Sequence, residues 1–334
     1  EHPYTIAFFS SAPGGSYHLE KWNLWRGIAD SATEWGMNLI YVAGEEFEFS
    51  AQASLYELIR QYPLDGLIIW NSFVSPRSTR QRFQEFVDQF TPLPVVCLET
   101  ELEGVSNLII DNAQGVRDLL DHLVLDHHYE RIAFIGQSGN STAQVRQDAC
   151  AEYLAEAGLH QPLLFGELEE LDRRGMVPGL DYRAVLAHSD AEAVHLVEVL
   201  RERGIQVPQD VAVVGFNDGQ DARGCQPALT TIRIPFRIMG WRAVEMLVRR
   251  INGRGAAENS TIPLQLITRR SCGCLEPMAE RALAGKIPYQ HANLAQALPK
   301  QRTLFLDQMS RGMGAMIDTQ AYAWAGALFD IFTR

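Results

Sequence analysis

The sequence predicts an α/β protein whose parallel sheets are divided between two lobes. Three observations carry that prediction. Short apolar runs alternate with longer segments of helical period, a pattern that builds parallel sheets with helices on both faces. Glycine and proline stand at the junctions between them. The chain has 334 residues, and single cores stop growing near ~250–300 residues.

The apolar runs read as strands are, in order, Thr5–Phe9, Asn38–Val42, Gly66–Trp70, Val95–Leu98, Leu108–Ile110, Arg131–Ile135, Leu163–Phe165, Ala184–Ala187, Val211–Val214 and Gln265–Thr268. Helix-sized segments lie near 18–35, 51–61, 77–89, 113–125, 142–157, 190–203 and 236–251. Gly158 and Gly204 follow two of these segments, where a left-handed cap is needed. Proline in Tyr62-Pro63-Leu64-Asp65-Gly66 and in Thr91-Pro92-Leu93-Pro94 forbids further helix before the next strand. Beyond Cys274 the pattern changes to helix alone. Leu304, Phe305, Met309, Met313 and Met316 form an apolar stripe there at helical spacing. Residues 275–334 are therefore expected to be a helical extension, packed on the domain or a second copy, or a linker to an output domain. The final residues are helix-like, as in an excised fragment.

Composition excludes several functions. The net charge of -12 and pI of about 5.2 suit no phosphate backbone, and no basic run offsets them. DNA contact is therefore expected only through a module absent from these residues. No apolar run has the length of a membrane span. Glu1-His2-Pro3 is no signal peptide. The cysteines Cys97, Cys150, Cys225, Cys272 and Cys274 are odd in number and lack a framework spacing, which points to reduced thiols and a cytoplasmic setting. Enzyme motifs are missing too. Pro13-Gly14-Gly15-Ser16 lacks the Lys-Ser/Thr of a phosphate loop, and no Gly-x-Ser-x-Gly elbow occurs. Glu99, Glu101 and Glu103 read as a solvated loop. Cys272-Gly273-Cys274 with His127-His128 has metal-ligand chemistry, but the spacing is shorter than a zinc knuckle's. Neither catalytic residues, a metal nor a cofactor is expected.

The most informative stretch is Gln206-Val207-Pro208-Gln209-Asp210-Val211-Ala212-Val213-Val214-Gly215-Phe216-Asn217-Asp218, a loop feeding an apolar strand that ends on polar residues. Ligands bind at the carboxyl ends of parallel strands, so Asn217 and Asp218 are candidate contacts. This phrasing resembles the ligand-sensing domain of the LacI/GalR family of bacterial regulators. Further elements come in that family's order from residue 4 to 274: Thr5-Ile6-Ala7-Phe8-Phe9, Trp25-Arg26-Gly27-Ile28, Asp65-Gly66-Leu67-Ile68-Ile69, Asp111-Asn112 with Gly115 and His122-Leu123, Arg131-Ile132-Ala133-Phe134-Ile135-Gly136, and Arg269-Arg270-Ser271-Cys272-Gly273.

The resemblance implies a periplasmic-binding-protein-like fold with two lobes joined by three crossovers. The first lobe would be residues 1–126 with 236–262, the second 127–232 with 264–274. It also places Tyr17 as a binding-site aromatic and Arg146 as a ligand-binding arginine. Ser189 and Asn217 replace the family's usual Asn and Asp, which puts a standard hexose in doubt. The tail resembles versions of the sensor fused to kinase, cyclase or helix-turn-helix modules.

The candidate site follows from strand ends that face a cleft. Trp70 and Asn71 end one strand, Glu99 another, Gln137 follows Gly136, and His188-Ser189-Asp190 follows Ala187. Stacked aromatics with planar polar groups grip hydroxyls. Tyr17, Trp70, Asn71, Glu99, Gln137, Arg146, Ser189 and Asn217 are thus the candidate ligand contacts. Several of these, and the neighbouring aspartates, have a plainer alternative: Arg146 a helix-surface or interlobe salt bridge, Tyr17 a cover over the hinge, Trp70 the core, Asn217 and Asp218 a strand-to-helix cap, and Asp190 a helix cap. The expected function is a non-catalytic, cytoplasmic sensor of a small, sugar-like effector, homodimeric, within a transcriptional or signalling regulator. Alternatives are an extracytoplasmic sugar-binding protein of a transporter, or a sensor module of a histidine kinase or diguanylate cyclase.

Overall fold

Continuous apolar runs are what strands buried on both faces require, and the two sheets are built from them. The computed structural model describes residues 3–11, 18–44, 62–70, 80–136, 141–166, 170, 174 and 177–274. In the first sheet β1 (Thr5–Ser11) lies between β2 (Asn38–Gly44) and β3 (Gly66–Trp70), all parallel. β4 (Val95–Leu98), β5 (Ser106–Ile110) and β11 (Asn259–Ile262) extend it in the order β11-β5-β4-β3-β1-β2. The second sheet runs β12-β10-β9-β8-β6-β7, from β6 (Ile132–Ile135), β7 (Leu163–Phe165), β8 (Ala184–Ala187), β9 (Ala212–Asn217), β10 (Thr230–Arg233) and β12 (Gln265–Ile267). Only the short β12 is antiparallel, to β10. The two orders are the same arrangement repeated. Each has its switch point beside the first strand of its lobe, where a crevice opens at the strand carboxyl ends.

The chain passes between sheets three times: after β5, after β10, and between β11 and β12. Helix α1 (His18–Glu34) packs on α7 (Phe236–Ile251) in the first lobe. The two backbones touch. A Cβ on Gly27 would lie 2.0 Å from the Arg237 carbonyl oxygen, and one on Gly240 2.3 Å from that of Leu24. Helix α2 (Arg80–Asp88) buries Phe83, Phe86 and Val87. The second lobe carries α3 (Asn112–Asp121), α4 (Ser141–Glu156), α5 (Asp190–Glu202) and the short α6 (Gln220–Gly224).

Three features depart from the sequence reading. β10 and β11 are strands where none was named. β10 is only four residues long, and β11 (Asn-Ser-Thr-Ile) is a polar edge strand with one buried residue, so neither shows an apolar run. The helix expected over 113–125 is α-helical only to Asp121; His122–Asp126 is a π-helical turn. Finally, α3 packs on α4, β10 and β12. The first crossover thus falls where Asp111 caps α3 by accepting from the Gln114 N–H at 3.0 Å, ahead of residue 126. The segment 51–61 and the extension 275–334 lie outside the described residues.

Candidate functional site

The carboxyl ends of β8 and β9 gather an unusual set of buried polar groups. Arg146, buried on α4, sends Nε to Asn112 Oδ1 at 2.8 Å and Nη1 to the His188 carbonyl oxygen. Its guanidinium carbon stands 3.6 Å over the centre of the Phe216 ring. The stack works because the ring face is electron-rich and the guanidinium is planar. Phe216 in turn requires Gly115 on α3, since a Cβ there would lie 2.6 Å from its ring. Arg146 is thus locked in one plane at the first crossover by groups from α3, β8 and β9.

His188 follows β8 and is 2% exposed. Neither ring nitrogen makes a hydrogen bond among the described residues; Nδ1 lies 3.4 Å from a Glu192 carboxylate oxygen, without hydrogen-bond geometry. Burial, reinforced by the Arg146 charge, pushes its pKa down to about 4. The imidazole is therefore neutral at ordinary pH, with one donor and one acceptor. Ser189 Oγ donates to Glu192, whose carboxyl is raised by burial.

Asn217 ends β9 at φ 115°, and Asp218 follows at φ 58°. Such conformations cost non-glycine residues ~1–3 kcal/mol and collect at functional sites. Asp218 is held by three arginines: Arg269 Nη2 at 2.6 Å, Arg233 Nε at 2.6 Å and Arg223 Nη2 at 2.9 Å. Asp190 accepts from the Thr231 hydroxyl at 2.6 Å and the Gly219 N–H at 2.7 Å. Its oxygen occupies the space that a Cβ on Gly215 would need, 2.3 Å away.

Of the residues the sequence singled out, Arg146, Ser189 and Asn217 come together here, and Asp190 and Asp218 lie beside them. Asp190 does not cap its own helix with its side chain; it ties β10 to the turn that follows β9. Asp218 is an ion-pair centre rather than a strand-to-helix cap. Trp70 is 1% exposed, its ring 5.8 Å from that of Phe236, and takes the core position. Glu99 is half-buried at the end of β4 with φ 68°. Tyr17, Asn71 and Gln137 lie outside the described residues. Asn112, His188 and Phe216 were not chosen from sequence. Asn112 and His188 stand inside the quoted motifs Asp111-Asn112 and His188-Ser189-Asp190 without being singled out as contacts, and Phe216 reads as ordinary strand core. One group of histidines and cysteines among the described residues has metal-ligand placement, His122, His127, Cys272 and Cys274, and it is a separate cluster.

Comparison with known proteins agrees with this fold. Residues 120–272, which include Arg146, His188 and Asn217, match the periplasmic binding protein-like domain model. The chain is 30% identical over 258 residues to the ribose operon repressor of Escherichia coli, covering 74% of this chain and 76% of that protein. It belongs to the LacI/GalR family. Among solved structures, this LacI/GalR-family chain resembles the lac repressor dimer bound to operator and the anti-inducer ONPF. The TM-score is 0.70 at 21% identity, over 81% of this chain and 94% of that one. It also resembles a transcriptional regulator CelR–cellobiose complex, with TM-score 0.66, 23% identity, and 80% and 84% coverage. At these identities the structural likeness concerns the fold.

Proposed function

We propose that this LacI/GalR-family chain is a non-catalytic sensor that binds a small, sugar-like effector between its lobes. The observation that carries the reading is the pairing of His188 with Arg146. A buried imidazole with hydrogen-bonding capacity to spare sits beside an immobilised guanidinium at the strand ends. Buried polar groups normally have partners, and a hydroxyl-bearing molecule would supply one that both donates and accepts. Asn217, strained at the same edge, adds an amide of the same kind. The ribose operon repressor and the cellobiose-bound regulator are relatives in sequence and fold respectively, which agrees with a carbohydrate or a derivative as effector.

Effector touching both lobes favours closure by its differential affinity for the closed state. In this reading the closed lobes act through a homodimer in the cytoplasm, and DNA is contacted by a separate module, as the operator-bound lac repressor dimer suggests. The test is thermal unfolding against mono- and disaccharides, sugar acids and nucleosides, with Arg146→Ala as control. A ligand at 100 times its Kd should add about 2.7 kcal/mol, and the gain should vanish in Arg146→Ala. A panel that shifts nothing, or shifts both proteins equally, would remove the site.

A further inference from the structure

Away from the interlobe site, the end of α3 and the last described residues meet in a second cluster. The π-helical turn His122–Asp126 ends with the His127 N–H donating to the His122 carbonyl, five residues back. That wider turn lays His127 over His122, whereas an α-helix would point residues five apart in different directions. Their Nε2 atoms are 3.2 Å apart. Gly273, at φ 108°, folds Cys272-Gly273-Cys274 back on itself so that both thiols face the same point. His122 Nε2 is 3.3 Å from Cys272 Sγ and 3.5 Å from Cys274 Sγ; His127 Nε2 is 3.4 Å from Cys274 Sγ. All four ligand atoms lie within 4.8 Å of one another.

Hydrogen bonds alone do not account for this convergence. Asp126 accepts from His122 Nδ1 at 2.8 Å, which fixes the proton there and leaves Nε2 a single lone pair. Three polar atoms crowd that lone pair within 3.5 Å. One cation at the centre satisfies all of them. Tetrahedral zinc with bonds of ~2.0–2.1 Å to nitrogen and ~2.3 Å to sulfur requires edges of roughly 3.3 Å between nitrogens and 3.5 Å between nitrogen and sulfur. The four measured edges have those lengths.

The outer contacts are also of the metal-site kind. The Asp126–His122 pair is the carboxylate–histidine arrangement that orients zinc ligands. The Thr230 hydroxyl donates to Cys272 Sγ at 3.0 Å. Tyr129 stacks on His127 at 5.5 Å between ring centres and donates to the Cys272 carbonyl at 3.0 Å.

We propose that His122, His127, Cys272 and Cys274 form a tetrahedral site for a zinc ion. Two imidazoles and two thiolates at tetrahedral spacing are the geometry of zinc among divalent cations. Four protein ligands leave no open position, so the role is structural. The ion would clamp residues 270–274, where the chain leaves the second lobe, to the end of α3.

The experiment uses the full chain, purified with reductant and no chelator. Metal analysis should find one zinc per chain, and the chelated protein should take up one Co²⁺ with the intense visible bands of tetrahedral thiolate coordination. Cys274→Ser and His127→Asn change half-buried ligands and should abolish those bands. Asp126→Asn should weaken uptake ~10–100-fold. His128→Asn, an exposed neighbour, should change nothing. Chelation should also lower the wild-type Tm and zinc should restore it, which keeps the test valid if a variant does not fold. Reduced wild-type protein that takes up neither ion overturns the proposal. So do Cys274→Ser binding as tightly as wild type, and a metal-free protein joined by a Cys272–Cys274 disulfide.

Discussion

Asp190 and Asp218 are both buried at the same edge of the second sheet, yet their surroundings treat charge in opposite ways. Asp218 sits among three guanidinium groups; burial alone would raise its pKa, but the bonds from Arg269, Arg233 and Arg223 outweigh that and hold it below the usual carboxylate value. Asp190 has only neutral donors, Thr231 and Gly219, and feels the negative charges of Asp218 and of Glu20 from α1 of the other lobe; burial dominates and pushes it up to about 6. Glu20 is raised as well, first by burial and then by Asp221. One carboxylate therefore stabilises the fold by being charged, and the other costs stability when charged. The difference teaches that burial alone pushes both acids the same way and does not decide whether an acid stays charged. The charge of its partners does.

Removing Asp218 should have the largest effect. Asp218→Ala leaves three arginines converging on an apolar methyl, and breaking a buried pair from one side costs about 3–5 kcal/mol. Urea unfolding near neutral pH should show that loss, while Asp190→Asn, which deletes an unfavourable charge, should cost about 1 kcal/mol or less. Equal losses in the two variants would end the distinction.

The next effect is a pH dependence in which two buried groups oppose each other. Asp190 titrates at about 6 in the fold against an ordinary 3.8. Its contribution to stability is fully present below 3.8 and is lost as pH rises through 6. His188 titrates at about 4 against 6.5. Its contribution is present above 6.5 and is lost as pH falls through 4. Each is worth about 3 kcal/mol, and the two oppose each other between about pH 4 and 6. The wild-type protein should therefore show little slope from this pair. His188→Gln should leave a stability that falls as pH rises through that window, and Asp190→Asn one that rises. Parallel slopes in the two variants would show that neither group titrates as its burial implies.

The sequence made the strands legible because a parallel sheet buries both faces and writes itself as uninterrupted apolar runs. Gly66–Trp70 and Ala184–Ala187 have the bounds the sequence suggested. β11 was hidden because an edge strand needs no such run. The site was legible only in part. Asn217 stood out as a polar residue at a strand end and Arg146 through the family resemblance, but the contacts that give Arg146 its meaning come from Asn112, His188 and Phe216, each remote from it in sequence. Asp190 looked like a helix cap because its acceptors' partners, Thr231 and Gly219, lie about 30 to 40 residues away along the chain. The sequence set His127 beside His128, and His122 was missed as its partner for a geometric reason. A spacing of five misses one helix face unless the turn is π-helical, and nothing in His122-Leu123-Val124-Leu125-Asp126 announces that.

The smallest effects should be graded among the three arginines themselves. They share one carboxylate but differ in exposure: the Arg269 side chain is 15% exposed, Arg233 40% and Arg223 58%. Solvent screens the outer two, and exposed pairs are worth ~0–1 kcal/mol. Arg269 also donates to the Leu229 carbonyl at 2.8 Å, so it ties the segment after β12 to the residue before β10 as well as to Asp218. Truncation to alanine should therefore cost about 1–2 kcal/mol at Arg269, and progressively less at Arg233 and then Arg223. Added salt should erase the Arg223 effect first, because screening acts most on the exposed partner. If all three cost the same, the low pKa of Asp218 would have to come from the local left-handed turn and not from its partners. In that case, Asp190 and Asp218 would differ by backbone geometry rather than by charge.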